Sequence, residues 1–338
     1  MSASDNRKAA VKKIKLLAYN SKLNVNNFRK KIEDEYYTPI LPNHVERSEH
    51  NYGGIPCDVL SPELYSSKRV MFYIHGGSFV GGSRSSYRSF CSILANRTYS
   101  RVVIPEYRLA PTYAFPSAIE DIQSVFRALF TEEQIARSLD ATVDEDGKKI
   151  ETMPEFIVCA DGAGSSIAMA LLLNLRERYR NCIKKVILLS PWVNLCSDSA
   201  IYLMKKPVDE ILSKEVIQNS AEVYTYASNL ENPLISPLKV SPEQLAGFPS
   251  TYIQAGEKEI LLEDICQFEQ KLRENNIDCK LDVFPDMMHL FQLGEGYLEA
   301  SHDALSKIAE QVHGIGDNNE RQTYENKPRL EQSLKAEA

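Results

Sequence analysis

Residues 156–164 read Phe-Ile-Val-Cys-Ala-Asp-Gly-Ala-Gly, an apolar run that enters a turn of very small residues. The stretch that follows, Ser165 to Leu171, is apolar and small-residued. This is the layout of a nucleophile elbow, G-x-S-x-G, in which a sharp strand-to-helix turn lifts a serine hydroxyl above a sheet. Here the central position is Gly162 and the first small residue is Ala160. The chain carries the frame for covalent acyl chemistry without the hydroxyl that would attack. Neighbouring side chains do not stand in for it. Ser165 and Ser166 come three and four positions later, inside a first helical turn where a rotation of about 100° per residue points them away from the apex. Cys159 precedes the apex on a buried strand, where a cysteine packs inertly.

A second run of interest follows the strand pattern Arg69–Ile74: His75-Gly76-Gly77-Ser78-Phe79-Val80-Gly81-Gly82-Ser83. Glycines after a buried strand let the backbone turn with its N–H groups toward a site. A third strand pattern, 101–105, leads into Glu106-Tyr107-Arg108-Leu109-Ala110-Pro111 and then Phe115-Pro116. With these motifs in this order, and through Asp209–Leu212, Asn232–Leu238, Gly256–Asp264 and Pro285–Phe291, the chain resembles the hormone-sensitive-lipase family of α/β-hydrolases from about residue 50 to 300. That family pairs an HGGG-type loop and a YRLAP…FP segment with a GDSAG elbow.

The resemblance implies a site. His289, in Pro285-Asp286-Met287-Met288-His289-Leu290-Phe291, falls at the position of the family's base. The segment Gly256-Glu257-Lys258-Glu259-Ile260-Leu261 places Glu259 at the position of the acid, where the family usually has aspartate followed by proline. A longer carboxylate can still reach a histidine Nδ1. The same glutamate read without the family is a helix-capping acid, favourable in a first helical turn. Oxyanion donors would be the backbone N–H groups of Gly76, Gly77 and Ala163. Ser78 stands where the family's loop has its third glycine, which adds a hydroxymethyl group and removes no donor. His75 reads as structural, and the histidines at 44, 50, 302 and 313 match no motif.

Strand patterns near 56–61, 69–75, 101–106, 155–160, 183–190, 250–256 and 279–284 alternate with helical stretches, the signature of a mostly parallel sheet with helices on both faces. The expected architecture is an α/β-hydrolase fold, a twisted sheet under a helical cap. Its core spans 46–196 and 231–313, with a polar surface insertion at 131–153. Residues 1–45 hold N-terminal cap helices, with one helical segment expected over 7–35, and 197–230 form a second cap piece rich in Tyr and Leu. Residues 314–338 are polar and read as a disordered tail. A basic amphipathic stretch such as 7–35 can lie on a membrane surface, but the resemblance implies a cap, and the sequence as a whole points away from membrane association.

The 338 residues are 43% hydrophobic, enough for a sizeable core, and the net charge of −7 argues against nucleic acid as a partner. Seven scattered cysteines without metal-ligand spacing suggest free thiols in a reducing, cytoplasmic setting. No run approaches 18 apolar residues. Neither a metal nor an organic cofactor is implied, and the sequence leaves a homodimer open.

The resemblance implies hydrolysis of short to medium carboxylic esters through an acyl-enzyme, a reaction that Gly162 disables or leaves very weak. The alternative is a non-catalytic protein that binds a small apolar ester or ligand in the capped pocket, a use of this fold seen in the plant gibberellin receptors. A surface scaffold, with 131–153 and the tail as contact segments, is the third reading.

Overall fold

A computed structural model of the chain describes residues 2–38, 40–41, 44–65, 69–139, 141, 153–196, 199 and 209–315. The strands are β1 (Val45–Tyr52), β2 (Ile55–Pro62), β3 (Arg69–Ile74), β4 (Arg101–Pro105), β5 (Glu155–Asp161), β6 (Ile183–Leu189), β7 (Thr251–Gly256) and β8 (Cys279–Phe284). The helices are α1 (Ala3–Ile14), α2 (Val25–Tyr36), α3 (Arg84–Thr98), α4 (Ser117–Leu139), α5 (Gly162–Asn174), α6 (Glu177–Arg180), α7 (Lys214–Tyr224), α8 (Leu262–Glu274) and α9 (Glu299–His313).

The strands form one sheet in the order β1-β2-β4-β3-β5-β6-β7-β8. β1, β2 and β4 pair antiparallel, and every pair from β4 through β8 is parallel. The interior strands are mostly apolar and buried: Val70 to Ile74 and Phe156 to Ala160 are all buried, apolar residues. That is the pattern of strands covered by helices on both faces. All of the expected strand regions carry strands. β1 is additional. Its sequence, Val-Glu-Arg-Ser-Glu-His-Asn-Tyr, is mostly exposed and charged, as suits an edge strand, and that composition hid it from the hydrophobic pattern.

The N-terminal region also differs from one continuous helix over 7–35. α1 ends in a single tight turn at Lys15–Leu17, the chain runs open through 18–24, and Asn24 caps α2 by accepting the Asn26 N–H. The break follows from Asn20 and Asn24, whose side-chain oxygens accept the Lys22 and Asn26 N–H groups in preference to continuing a helix. The polar stretch expected as an insertion from residue 131 begins as the end of α4, which is helical to Leu139. Residues 142–152, 200–208 and 316–338 of the expected insertion, second cap piece and tail lie outside the described residues. Among the described residues no helix is long and apolar enough to cross a membrane.

Parallel strands bring their carboxyl ends to one side of the sheet, and ligands of open α/β sheets bind there. The glycine loop follows β3, the elbow follows β5, Glu259 follows β7 and His289 follows β8. Four distant stretches of sequence thus share one edge.

Candidate active site

The elbow forms as its residues dictate. β5 ends at Asp161, and α5 starts at Gly162 with a backbone φ of +46°, in the left-handed region that glycine adopts without penalty. A Cβ built on Gly162 would lie 3.6 Å from His289 Nε2 and 3.7 Å from Leu290 Cδ1, ordinary contacts. Two residues on, Gly164 is a different case: its Cβ would sit 2.3 Å from the His75 carbonyl oxygen and 2.4 Å from that of Ile74. Gly164 is there because α5 crosses β3 at close range. At Gly162 a side chain would meet His289 and Leu290 at ordinary contact distance.

His289 has a partner on each ring nitrogen. His289 and Glu259 are both buried, and His289 Nδ1 lies 3.2 Å from Glu259 Oε2. The other carboxylate oxygen accepts from the Ser190 hydroxyl at 2.6 Å and from the Gly256 N–H at 2.5 Å. Burial raises the Glu259 pKa, and the His289 and Ser190 contacts oppose that rise. Ser190 in turn accepts the Leu290 N–H at 3.1 Å, so one hydroxyl ties the acid to the backbone beside the histidine. On its other nitrogen, His289 faces Trp192, whose indole N–H donates to Nε2 at 3.4 Å. The Trp192 backbone N–H donates to the Gly162 carbonyl at 3.1 Å, so the elbow and the histidine are braced by the same residue.

On the donor side the glycines divide. The Gly76 N–H points to Asp161 Oδ1 at 2.9 Å, not into the site. Gly77 and Ala163 line the cavity above Gly162, and Ala163, second residue of α5, has no intrahelical acceptor for its N–H. Asp161 is fully buried and also accepts the hydroxyls of Tyr73 and Tyr87, each at 2.8 Å. Burial pushes its pKa up to about 6, against the pull of those hydrogen bonds and of His289. The carboxylate thus splints the elbow to the glycine loop.

His75 takes the structural role. It is buried, stacks on Tyr107 at 4.4 Å between ring centroids, and burial lowers its pKa to about 4. The Tyr107 hydroxyl donates to the His75 carbonyl at 2.5 Å, and the Ala110 N–H to that of Phe79 at 3.0 Å, so the Tyr-Arg-Leu-Ala-Pro segment braces the glycine loop from behind. Arg108 clamps Asp121 through both carboxylate oxygens, at 2.7 and 2.9 Å, which anchors that segment to α4.

The structure brings Gly162, His289, Gly77 and Ala163 to one cavity, sets Glu259 against the far nitrogen of His289, and turns Gly76 away. Sequence reasoning missed Ser190, Trp192, Tyr73 and Tyr87. Only Trp192, the sole tryptophan of the chain, offered a signal by its rarity.

This arrangement of four loops on a parallel sheet defines the class of protein. The sequence profile of the alpha/beta hydrolase fold family matches residues 71–293, and the chain belongs to that family. It is 30% identical over 246 residues to an esterase of Acinetobacter venetianus, covering 72% of this chain and 75% of that protein. Against an acetyl-hydrolase of Streptomyces hygroscopicus it is 28% identical over 224 residues, covering 66% and 68%. The crystal structure of an esterase from the bacterial hormone-sensitive lipase family superposes with a TM-score of 0.78 at 24% identity, covering 93% of this chain and 99% of the other. The resemblance to the hormone-sensitive-lipase branch, first carried by the glycine loop and the elbow, therefore holds across the fold.

Proposed function

We propose that this protein is a carboxylester-hydrolase scaffold arrested at its nucleophile: the acid–base pair is assembled, and Gly162 withholds the attacking hydroxyl. One observation carries the reading. A side chain at 162 fits without clash 3.6 Å from His289 Nε2, one bond short of hydrogen-bond reach for a serine Oγ.

In a Gly162→Ser form, His289 Nε2 takes the hydroxyl proton as Oγ adds to the ester carbonyl, and Glu259 holds the resulting imidazolium through Nδ1–H. The Gly77 and Ala163 N–H groups receive the oxyanion, because Gly76 is engaged by Asp161. Short to medium acyl esters are the proposed substrates. Without Oγ the only nucleophile is a water activated by His289. Hydrolases stripped of triad members retain only about 10³–10⁴-fold over the uncatalysed rate.

The test compares hydrolysis of p-nitrophenyl acetate and butyrate by the protein and by folded Gly162→Ser. The expected outcome is a gain of about 10³-fold or more in kcat/KM. A folded variant that stays inactive would transfer support to a second reading, a binding protein for a small apolar molecule. The cavity walls favour that reading: Leu17, Ala18, Ile211, Leu212 and Leu290 are all aliphatic.

A further inference from the structure

The cavity above Gly162 is nearly shut. Its volume is about 10 Å³, room for one water-sized group. Leu17 and Ala18, from the turn after α1, form one wall, and Ile211 and Leu212 form another. No ester of useful size reaches His289 until a wall moves, so what fastens the walls decides what enters.

Arg29 and Glu33 pin α2 to the glycine-loop region, Arg29 donating to the Val80 and Ala110 carbonyls and Glu33 accepting from Ser83, and two further contacts act on α1 and the wall that follows it. The first is Ser78, in the glycine loop itself. Its buried hydroxyl donates to the Leu17 carbonyl at 3.0 Å and accepts the Tyr19 N–H at 3.1 Å, bracketing Ala18. Ser78 has a φ of +59°, a conformation that penalises every L side chain and that glycine adopts freely. A serine held there against its backbone preference is returned two hydrogen bonds to the cap. The second fastener is Arg7 on α1. Its guanidinium bonds Glu210 at 2.5 Å, the Asp286 carboxylate at 3.0 Å and the Asp286 carbonyl at 2.9 Å. Lys258 pairs with the same Asp286. Arg7 therefore ties α1 to the loop that carries His289, and Lys258 ties that loop to the one that carries Glu259. These pairs are partly exposed and hence sensitive to salt.

We propose that Ser78 is a positioning residue: it locks the N-terminal cap to the oxyanion loop and, together with the Arg7 ion pairs, restricts the site to esters with short acyl groups. The size limit rests on the proposed function; the fastening itself does not. Because Ser78 is next to Gly77, the cap wall and an oxyanion donor are set by one loop and move together.

Trp192 is the chain's only tryptophan, is 2% exposed and lines the same cavity, so its fluorescence reports access. Acrylamide quenching is measured on the protein, Ser78→Gly and Arg7→Ala. Glycine suits the backbone at 78, and circular dichroism checks that the fold is retained. The loss of two hydrogen bonds shifts an opening equilibrium by about tenfold or more, so the quenching constant of Ser78→Gly rises several-fold. Raising salt to about 0.5 M shortens the screening length to about 4 Å, which increases quenching of the parent and leaves Arg7→Ala unchanged. Equal quenching of Ser78→Gly and the parent overturns the Ser78 lock, and salt-independent quenching of the parent overturns the Arg7 fastener. In the Gly162→Ser background, adding Ser78→Gly raises the octanoate-to-acetate ratio of kcat/KM by about tenfold. An unchanged ratio overturns the size limit. If Gly162→Ser hydrolyses neither ester, the proposed function and the size limit fall together, while quenching of the serine-free protein still decides the fastening.

Discussion

The two sides of the candidate site are held in place by different means, one through side chains and the other through backbone. On the histidine side, the functional groups are side chains and each is over-determined. Glu259 uses both oxygens on three partners, and Ser190 joins the acid to the backbone of Leu290. On the elbow side the functional groups are backbone. Asp161, Tyr73 and Tyr87 splint a turn whose apex carries no side chain at all. The difference teaches that the shape of this elbow does not depend on a side chain at its apex. The turn geometry comes from strand, helix and Asp161, and a φ of +46° suits glycine better than serine. On the proposed reading, glycine at 162 withholds the nucleophile while the hydrogen bonds that shape the turn stay in place.

The sharpest way to break this comparison is kinetic. In the Gly162→Ser background, His289→Ala should erase the whole gain, and Glu259→Gln should cost at least about a hundredfold in kcat, because it no longer holds the imidazolium. Activity that survives both changes would show that the histidine side is furnished for packing alone.

Next in size is a contrast inside the elbow. Gly164→Ala drives a methyl group into two backbone carbonyl oxygens and should destabilise by about 3 kcal/mol or more. Gly162→Ser places a side chain in ordinary contact with His289 and Leu290, and only its backbone conformation is unfavourable, at about 1 kcal/mol. Denaturant midpoints of the two variants measure the difference, and comparable losses would contradict the separation of fold from function at this turn.

The smallest effect is electrostatic. Asp161 has its pKa raised from 3.8 to about 6, with burial the leading cause. The folded state therefore binds this proton more tightly than the unfolded chain. Its contribution to stability is complete below pH 3.8 and is lost as the pH rises through 6. Between pH 4 and 7 the parent should lose about 2 kcal/mol relative to Asp161→Asn, followed by urea unfolding at each pH. Parallel profiles would show that the splint does not titrate.

Much of the site was legible because its motifs sit where strands end. The glycine loop and the elbow are short, local and composed of residues chosen for backbone shape, so they read directly from the chain. His289 and Glu259 needed a family resemblance, since a loop histidine and a glutamate before a helix have ordinary local explanations. The division among the glycines was not legible. Gly76 and Gly77 are identical in sequence terms, and only the approach of Asp161 from β5 engages one N–H and leaves the other lining the cavity. Ser190 was invisible for a similar reason: its partners are 69 and 100 residues away.

By itself the sequence determined the strands from β2 to β8, the elbow turn and the absence of a hydroxyl at 162, all properties of neighbouring residues. β1 escaped it, because a charged edge strand has no buried face to impose alternation. The tertiary structure alone decided that Ser78 grips the N-terminal cap across 61 residues, that Trp192 faces the Nε2 of His289, and that the cavity is nearly closed. Those facts depend on which distant groups the folded sheet brings within about 3 Å, the range at which a hydrogen bond forms, and local composition carries no record of such approaches.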